Sequence, residues 1–216
     1  WKRRRENKQR MLNNLKKGQL IVFAAPSGGG KSTLIKEVIS NNDKIELSVS
    51  ATTRPPREGE IHGKDYFFIT DNEFNDLIGK DAFFETAEVH GYQYGTLKTF
   101  VEEKLKNNIR VVLDIDVQGY DQIVDSFENI ISIFIIPPSL NELRKRLLSR
   151  GLDTEEVIEK RLINAKKELK YAKSFDYIVL NDDFKRAFDE ITSIILAKDY
   201  EYNEAINKKI LKDLLD

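Results

Sequence analysis

Apolar positions along the chain follow two spacings, and the change from one spacing to the other marks predicted elements. Residues 19–25 form a short run rich in β-branched apolar side chains, which is typical of a buried strand. Residues 31–40 carry apolar side chains at intervals of three and four, which is typical of a helix. The sequence PSGGG at 26–30 separates the two segments. The pattern therefore predicts a strand, a glycine loop and a helix in direct succession.

The alternation of strand and helix patterns continues along most of the chain. Near-continuous apolar runs at 110–115 and 130–136 are typical of strands that are covered on both faces, as in parallel sheets. A further strand is predicted at 177–180, and further helices are predicted at about 97–105, 140–147, 153–169 and 184–197. This order predicts an α/β fold whose core is a doubly wound parallel sheet.

A region from about 48 to 98 interrupts this alternation. We predict strands at 45–53 and 66–70, on either side of a Pro-Pro turn, and a short helix capped by Asp71 and Asn72. The region is rich in strand pattern and does not continue the regular succession of strand and helix. We therefore expect it to be inserted into the parallel core.

The composition removes several classes of protein from consideration. The chain has 216 residues and no cysteine, so a disulfide scaffold and a thiolate nucleophile are excluded, and its two histidines argue against a Cys/His zinc site. Lys and Arg number 35 against 36 Asp and Glu, which argues against a nucleic-acid binder. The apolar runs are far shorter than the ~20 residues of a membrane span. We expect a cytoplasmic protein with neither nucleic acid nor a membrane as partner.

The glycine loop carries phosphate-binding chemistry. Its glycines expose backbone N–H groups, the following helix adds its dipole, and Lys31 adds a positive charge. In such a loop Lys31 bridges the β- and γ-phosphates of ATP, and the Ser32 hydroxyl ligates Mg²⁺. Ala25 stands where the motif has its first glycine, which a Cβ tolerates if φ is negative there. Phosphate binding is assigned to Ser27, Gly28, Gly29, Gly30, Lys31, Ser32 and Thr33.

Two carboxylates follow the strand predicted at 110–115. Asp114 and Asp116 are two positions apart, so on a strand they share one face. The carboxyl edge of a parallel sheet is where α/β folds bind ligands. Asp114 is therefore predicted to be a Mg²⁺ ligand of the Walker-B type, and Asp116 to face the cleft. The alternative role for both side chains is to cap the following helix.

The inserted region contains a second set of polar side chains. Arg54 and Arg57 bracket two prolines that stiffen the chain, so two guanidinium groups are held apart at low entropic cost, which suits a phosphate. The phenolic groups of Tyr66 and Tyr94 can complete that site, and Glu85 can accept hydrogen bonds from a base. Taken singly, these residues also fit surface ion pairs, packed aromatic rings and a solvated carboxylate.

Together these motifs resemble guanylate kinases. The similarity covers roughly 18–198 and rests on the segments 25–33, 48–57, 59–66, 84–85, 94–96, 113–119 and 181–182. The resemblance implies a P-loop core (18–47, 99–137 and 166–198), a GMP-binding region at 48–98 and a helical lid at 138–165. Outside it lie a basic arm at 1–17, which we interpret as a flexible tail, and a C-terminal helix expected at 199–216.

The resemblance also implies a reaction and roles for individual residues. The reaction is ATP + GMP → ADP + GDP by direct in-line transfer, with Mg²⁺ accompanying ATP. Binding of the GMP phosphate is implied for Arg54, Arg57, Tyr66 and Tyr94. Recognition of guanine is implied for Ser50, Glu85, Thr96 and Asp116. Contact with the transferring phosphoryl group is implied for Arg146, Arg150 and Arg161, and a place near adenine is implied for Asn181.

Two other functions are compatible with these motifs. One is a P-loop kinase for another nucleotide, and Glu85 and Asp116 distinguish it because they would select the base. The other is a catalytically silent relative that binds a phosphopeptide through Arg54 and Arg57. Because the phosphate-binding loop of such silent relatives is degraded and Lys31 is present here, an active kinase is favoured.

Overall fold

The computed structural model describes residues 18–89, 91–127, 130–149, 154–200, 211, 212 and 215. The basic arm predicted at 1–17 lies outside this part, and so does most of the helix predicted at 199–216. The strands are β1 (Leu20–Ala24), β2 (Ile45–Leu47), β3 (Ala51–Thr52), β4 (Phe67–Phe68), β5 (Phe83–Val89), β6 (Tyr92–Leu97), β7 (Arg110–Asp114), β8 (Ile130–Ile136) and β9 (Tyr177–Leu180). The α-helices are α1 (Lys31–Ser40), α2 (Asp71–Gly79), α3 (Lys98–Lys106), α4 (Val117–Ile123), α5 (Leu140–Ser149), α6 (Glu155–Glu168) and α7 (Phe184–Ala197).

The first sheet has the strand order β2-β7-β1-β8-β9, and each neighbouring pair is parallel. Ile21 and Phe23 of β1 pack on one side of the sheet with residues of α1 and α7. Leu20 and Val22 pack on the other side with residues of α3 and α4. Because β1 is buried on both faces, every one of its side chains is apolar. The prediction of a doubly wound parallel core is confirmed.

The second sheet lies within the region that interrupts the alternation, and its strand order is β4-β3-β6-β5. The β3–β6 and β5–β6 pairs are antiparallel, whereas β3 and β4 are parallel. Helix α2 covers this sheet with Phe74, whose ring stacks on Phe83 at a centroid distance of 4.6 Å. Thr70 caps α2 through a capping box with Glu73, so the prediction that Asp71 and Asn72 are the caps is wrong.

The continuous strand predicted at 45–53 is also wrong. The Ser48 N–H still donates to the Val112 carbonyl of the first sheet at 2.8 Å, whereas the Ser50 carbonyl accepts from the Phe67 N–H in the second sheet at 2.9 Å. The chain therefore passes from one sheet to the other between these two serines. Both halves have strand character, but only the positions of their partners decide which sheet each half joins.

The helices predicted after β8 are confirmed. The Ser139 hydroxyl accepts a hydrogen bond from the Glu142 N–H at 3.0 Å and so caps α5. Helices α5 and α6 pack together through Leu143, Leu147 and Ile158. The predicted break at Gly151 lies outside the described residues. Within the described ranges, no helix combines the length and the apolar character that crossing a membrane requires.

We expect Phe74→Ala to destabilise the protein by about 3–5 kcal/mol, because truncation leaves a cavity beneath the second sheet. The measurement is the midpoint of urea unfolding. Phe184→Ala is the matched control, because Phe184 is 42% exposed and its loss opens no cavity. Equal midpoints for the two variants would contradict the expectation.

Candidate active site

A cavity of about 390 Å³ lies where the carboxyl ends of β2 and β7 meet the second sheet. Its wall includes residues from both sheets and from the loops between them. The residues predicted from the sequence that line it are Ser50, Arg54, Arg57, Tyr66, Glu85, Tyr94, Asp114 and Asp116. The structure therefore brings together side chains that are as much as 66 positions apart, from Ser50 to Asp116.

The glycine loop has the backbone of an anion-binding loop. Gly28 and Gly30 have positive φ values of 90° and 93°, which a residue with a Cβ rarely adopts. Gly30 is the N-cap of α1 and supplies no side-chain cap, so the first N–H groups of the helix remain available to an anion. Ala25 is not among the residues with positive φ, which is why alanine is tolerated at the position of the motif's first glycine.

Lys31 links the loop to the edge of β7. Its Nζ lies 2.6 Å from Asp114 Oδ1 and donates to the Ile115 carbonyl at 2.8 Å. Lys31 is therefore held between the loop and the cavity, within the region where the phosphates of a bound nucleotide would lie. The ion pair also satisfies a carboxylate that is only partly exposed to solvent.

The donor set near Lys31 fits a magnesium ion that arrives with a nucleotide. Ser32 and Asp114 offer hard oxygen donors, which Mg²⁺ prefers. In the part of the chain that the structure describes, no group of three or more His, Asp or Glu residues is arranged to hold a metal by itself. In kinases, Mg²⁺ takes one or two protein ligands and completes its shell with phosphate oxygens and water.

Asn181 and Glu168 form hydrogen bonds with the phosphate-binding loop. Asn181, which follows β9, donates from Nδ2 to the Gly29 carbonyl at 2.8 Å. Glu168, at the end of α6, accepts from the Ser27 N–H, and burial raises the pKa of Glu168. Its Oε2 atom is buried and has no hydrogen-bond partner among the described residues. The sequence interpretation gave Glu168 no role.

Glu60 contacts both of the arginines that the sequence predicts to bind a phosphate. Arg54 Nη2 donates to Glu60 Oε1 at 2.8 Å, and the Arg57 N–H donates to Glu60 Oε2 at 2.7 Å. The hydrogen bond from Arg54 lowers the pKa of Glu60. The Arg54 guanidinium lies 5.4 Å from the centre of the Tyr66 ring, and the Tyr66 and Tyr94 rings meet edge to face. Glu60 therefore occupies a position between the two arginines that suits an anion.

Glu85 is a buried carboxylate and not the solvated one that the sequence also allowed. Glu85 is 5% exposed, and Thr96 Oγ1 donates to Glu85 Oε1 at 2.6 Å. Burial raises the pKa of Glu85, and the nearby charge of Asp116 acts in the same direction, whereas the Thr96 hydrogen bond lowers it. Thr96 is not among the residues that line the cavity and contacts it through Glu85.

Asp116 has both of the roles that the sequence left open. It lines the cavity, and its carboxylate accepts from the Gly119 N–H at 2.8 Å as the N-cap of α4. Strand β7 ends at Asp114, so strand alternation does not extend to Asp116, although both carboxylates line the cavity. A Cβ at position 119 would lie 2.9 Å from Glu85 Oε2, so glycine there allows Glu85 to approach Asp116.

Of the three arginines predicted to lie in the lid, two belong to the described residues. Arg146 lies on α5, and its Nη2 donates to the Asn181 carbonyl at 3.0 Å. Arg161 lies on α6 and is engaged in interactions of its own. Arg150 lies outside the described residues.

Ser48 and Glu60 are among the cavity residues that were not predicted. Ser48 is 7% exposed, lines the cavity, and its hydroxyl has no hydrogen-bond partner among the described residues. Glu60 was noted in the sequence only as part of a motif, although an acid three residues after Arg57 in a loop is a signal for a local pair. For Ser48 the sequence offers no such signal, because its exposure to the cavity follows from the passage between the two sheets.

Comparison with known proteins matches this geometry to one family. The family model for guanylate kinase matches residues 17–198. The guanylate kinase of Legionella pneumophila (strain Paris) is 45% identical over 200 residues, which cover 92% of this chain and 96% of that protein. The guanylate kinase of Thermotoga maritima is 47% identical over 179 residues, which cover 83% of this chain and 86% of that protein.

A solved structure agrees with the sequence relatives. The crystal structure of guanylate kinase from Anaplasma phagocytophilum superposes with a TM-score of 0.70 at 33% identity, and the match covers 86% of this chain and 88% of that one. Together with the geometry of the glycine loop and of the cavity, these matches lead to one conclusion. The chain belongs to the guanylate kinase family.

Proposed function

We propose that this protein transfers the γ-phosphoryl group of ATP directly to GMP, forming ADP and GDP. The observation that carries the proposal is one cavity lined by the carboxylates of Glu85 and Asp116 and by Arg54 and Arg57, with the lysine of a phosphate-binding loop paired to Asp114 in its wall. Such a cavity suits a ligand with hydrogen-bond donors on its base and a phosphate at its opposite end. We also propose a cytoplasmic location, in keeping with a chain that has no cysteine.

The base end of the cavity favours guanine. Guanine offers two donors, N1–H and the 2-amino group, to carboxylate acceptors, whereas adenine has neither at these positions. Glu85 and Asp116 are the acceptors, and Thr96 fixes the orientation of Glu85. Ser50 lines the same end and supplies a further hydroxyl. AMP would offer neither donor to the buried carboxylate of Glu85 or to Asp116, which is costly.

The other end of the cavity would bind the GMP phosphate. Arg54 is 8% exposed, so its charge acts in a partly desolvated place. We assign the phosphate to Arg54, Arg57, Tyr66 and Tyr94, with the GMP phosphate replacing the carboxylate of Glu60 on the arginines. The region 48–98 is thus the proposed GMP-binding part of the protein.

The donor side would be formed by the phosphate-binding loop and the region 138–165, which we propose to be the lid. Lys31 would turn from Asp114 to the β- and γ-phosphates of ATP. Ser32 and Asp114 would hold Mg²⁺, which neutralises charge on phosphate oxygens when bound. The lid arginines, Arg146, Arg150 and Arg161, would meet the charge that develops during transfer and help to exclude water. No side-chain nucleophile is needed, because phosphoryl transfer depends on positioning and charge.

The proposal is tested by offering GMP, AMP, CMP and UMP in turn with ATP and Mg²⁺, and by measuring ADP formation. We expect efficient turnover with GMP alone. Preferred turnover of another monophosphate would identify a kinase for that nucleotide. No turnover with any of them would favour a binding module.

We expect Lys31→Ala to abolish phosphoryl transfer while it leaves the Kd for GMP within about twofold, because Lys31 serves the donor phosphates. The measurements are ADP formation and GMP titration calorimetry. Lys36→Ala is the matched control, since Lys36 is exposed on the same helix. Turnover of the Lys31 variant near that of the control would overturn the assignment of the loop.

We expect Glu85→Gln to weaken the preference for GMP over AMP and, without ligand, to raise the thermal midpoint at pH 7. A buried carboxylate with a raised pKa binds its proton more tightly in the folded state, so its contribution to stability falls as the pH rises through that range. Glutamine has no charge to desolvate. The gain in midpoint should therefore be small near pH 4 and reach a few degrees at neutral pH.

The measurements for this variant are kcat/KM for both monophosphates and thermal unfolding at the two pH values. Glu88→Gln is the control, because Glu88 lies exposed on the same strand. Unchanged kcat/KM for GMP and AMP in the Glu85 variant would remove Glu85 from base recognition. A difference in thermal midpoint between the variant and the wild type that does not change with pH would show that the carboxylate is not desolvated.

A further inference from the structure

We infer that Asn181 is a positioning residue that holds the phosphate-binding loop through the Gly29 carbonyl and connects that loop to helix α5. The inference rests on the proposed function, because it assumes that the loop binds the triphosphate of the donor. It concerns an interaction with the loop itself and not with the base of the nucleotide.

Asn181 is held by hydrogen bonds from both its backbone and its side chain. Its backbone N–H donates to the Ile136 carbonyl at 2.8 Å, which continues the pairing of β9 with β8. Its Nδ2 donates to the Gly29 carbonyl at 2.8 Å, and the residue is only 6% exposed. The loop is thereby hydrogen-bonded to the first sheet at a point 152 positions away in the sequence.

A phosphate-binding loop needs a hydrogen-bond donor next to carbonyls such as that of Gly29. Its N–H groups turn toward the anion, so the carbonyls of the same peptide units turn away from it and require partners elsewhere. The Asn181 amide is neutral and supplies that partner without adding a charge that would compete for phosphate. A Cβ at Gly30 would lie 2.3 Å from Asn181 Nδ2, so the loop and the amide fit closely.

The same residue is bonded to the helix that carries the first lid arginine. Arg146 Nη2 donates to the Asn181 carbonyl at 3.0 Å. Helix α5 also contacts the loop directly, because a Cβ at Gly28 would lie 3.0 Å from the side chains of Leu143 and Leu147. A shift of α5 would therefore disturb the contacts of this helix with both Asn181 and the loop. We infer that Asn181 keeps the loop in register with this helix.

Direct contact with adenine, which the resemblance implies for Asn181, leads to a different expectation. A side chain that reads the base affects ATP and has no effect on a triphosphate that lacks a base. A side chain that holds the loop affects both ligands by the same factor. The two roles can therefore be separated by comparing ATP with inorganic tripolyphosphate.

The test uses the full chain with Asn181→Asp, which places a carboxylate against the Gly29 carbonyl, and Asn181→Ala, which removes the donor. The Kd values of Mg²⁺–ATP, Mg²⁺–tripolyphosphate and GMP are measured by calorimetry. We expect both triphosphate ligands to weaken about tenfold or more and by similar factors, since a buried carbonyl loses its partner. The Kd for GMP should stay within about twofold.

The control is Asp182→Asn, which removes an exposed pair with Arg186 next to the same strand end. Thermal unfolding establishes that each variant is folded, and Asn181→Ala carries the test if Asn181→Asp does not fold. Loss of affinity for ATP alone would overturn the inference in favour of base contact, and unchanged affinity for both ligands would overturn it outright. Wild-type protein that binds ATP but not tripolyphosphate would also overturn it. Wild-type protein that binds neither, or does not phosphorylate GMP, would instead overturn the proposed function.

Discussion

An anion-binding loop must keep its backbone N–H groups free on one side, and the structure around the loop between β1 and α1 follows from this requirement. Strand β1 is buried on both faces and fixes where the loop begins. Gly28 and Gly30 adopt conformations that turn the backbone inward. The loop carbonyls on the opposite side then need partners, and Asn181 donates to that of Gly29. The loop therefore has the backbone conformation that anion binding requires.

The second sheet faces a different constraint, because it presents charged groups to a cavity that is partly screened from water. The buried Glu85 raises the free energy of the ligand-free protein, as the raised pKa of its carboxyl indicates. Arg54 and the Arg57 N–H are instead satisfied by Glu60, which holds their loop in place. A guanine base and a phosphate would supply partners for both sets. At Glu85, selectivity for the base is therefore opposed to the stability of the ligand-free protein.

Much of the fold and of the site was predictable from local pattern. The succession of β1, the glycine loop and α1 was predicted because three independent signals coincide within 25 residues: apolar run, glycines and helical spacing. The clustering of Arg54, Glu85 and Asp116 was anticipated through the resemblance to a family. The misplaced cap of α2 and the single strand predicted at 45–53 have one cause. Each depends on which neighbouring group takes a hydrogen bond, and a linear pattern does not contain that information.

By itself, the sequence determined the class of fold, the phosphate-binding loop and the residue types available for catalysis, because these depend on spacing and on side-chain chemistry. Only the tertiary structure decided that Ser48 leaves its hydroxyl unpaired at the cavity and that Lys31 pairs with Asp114. It also placed Asn181 against a loop 152 positions away. These features arise where segments distant in sequence are packed together, and burial and distance, which set their energies, exist only after packing.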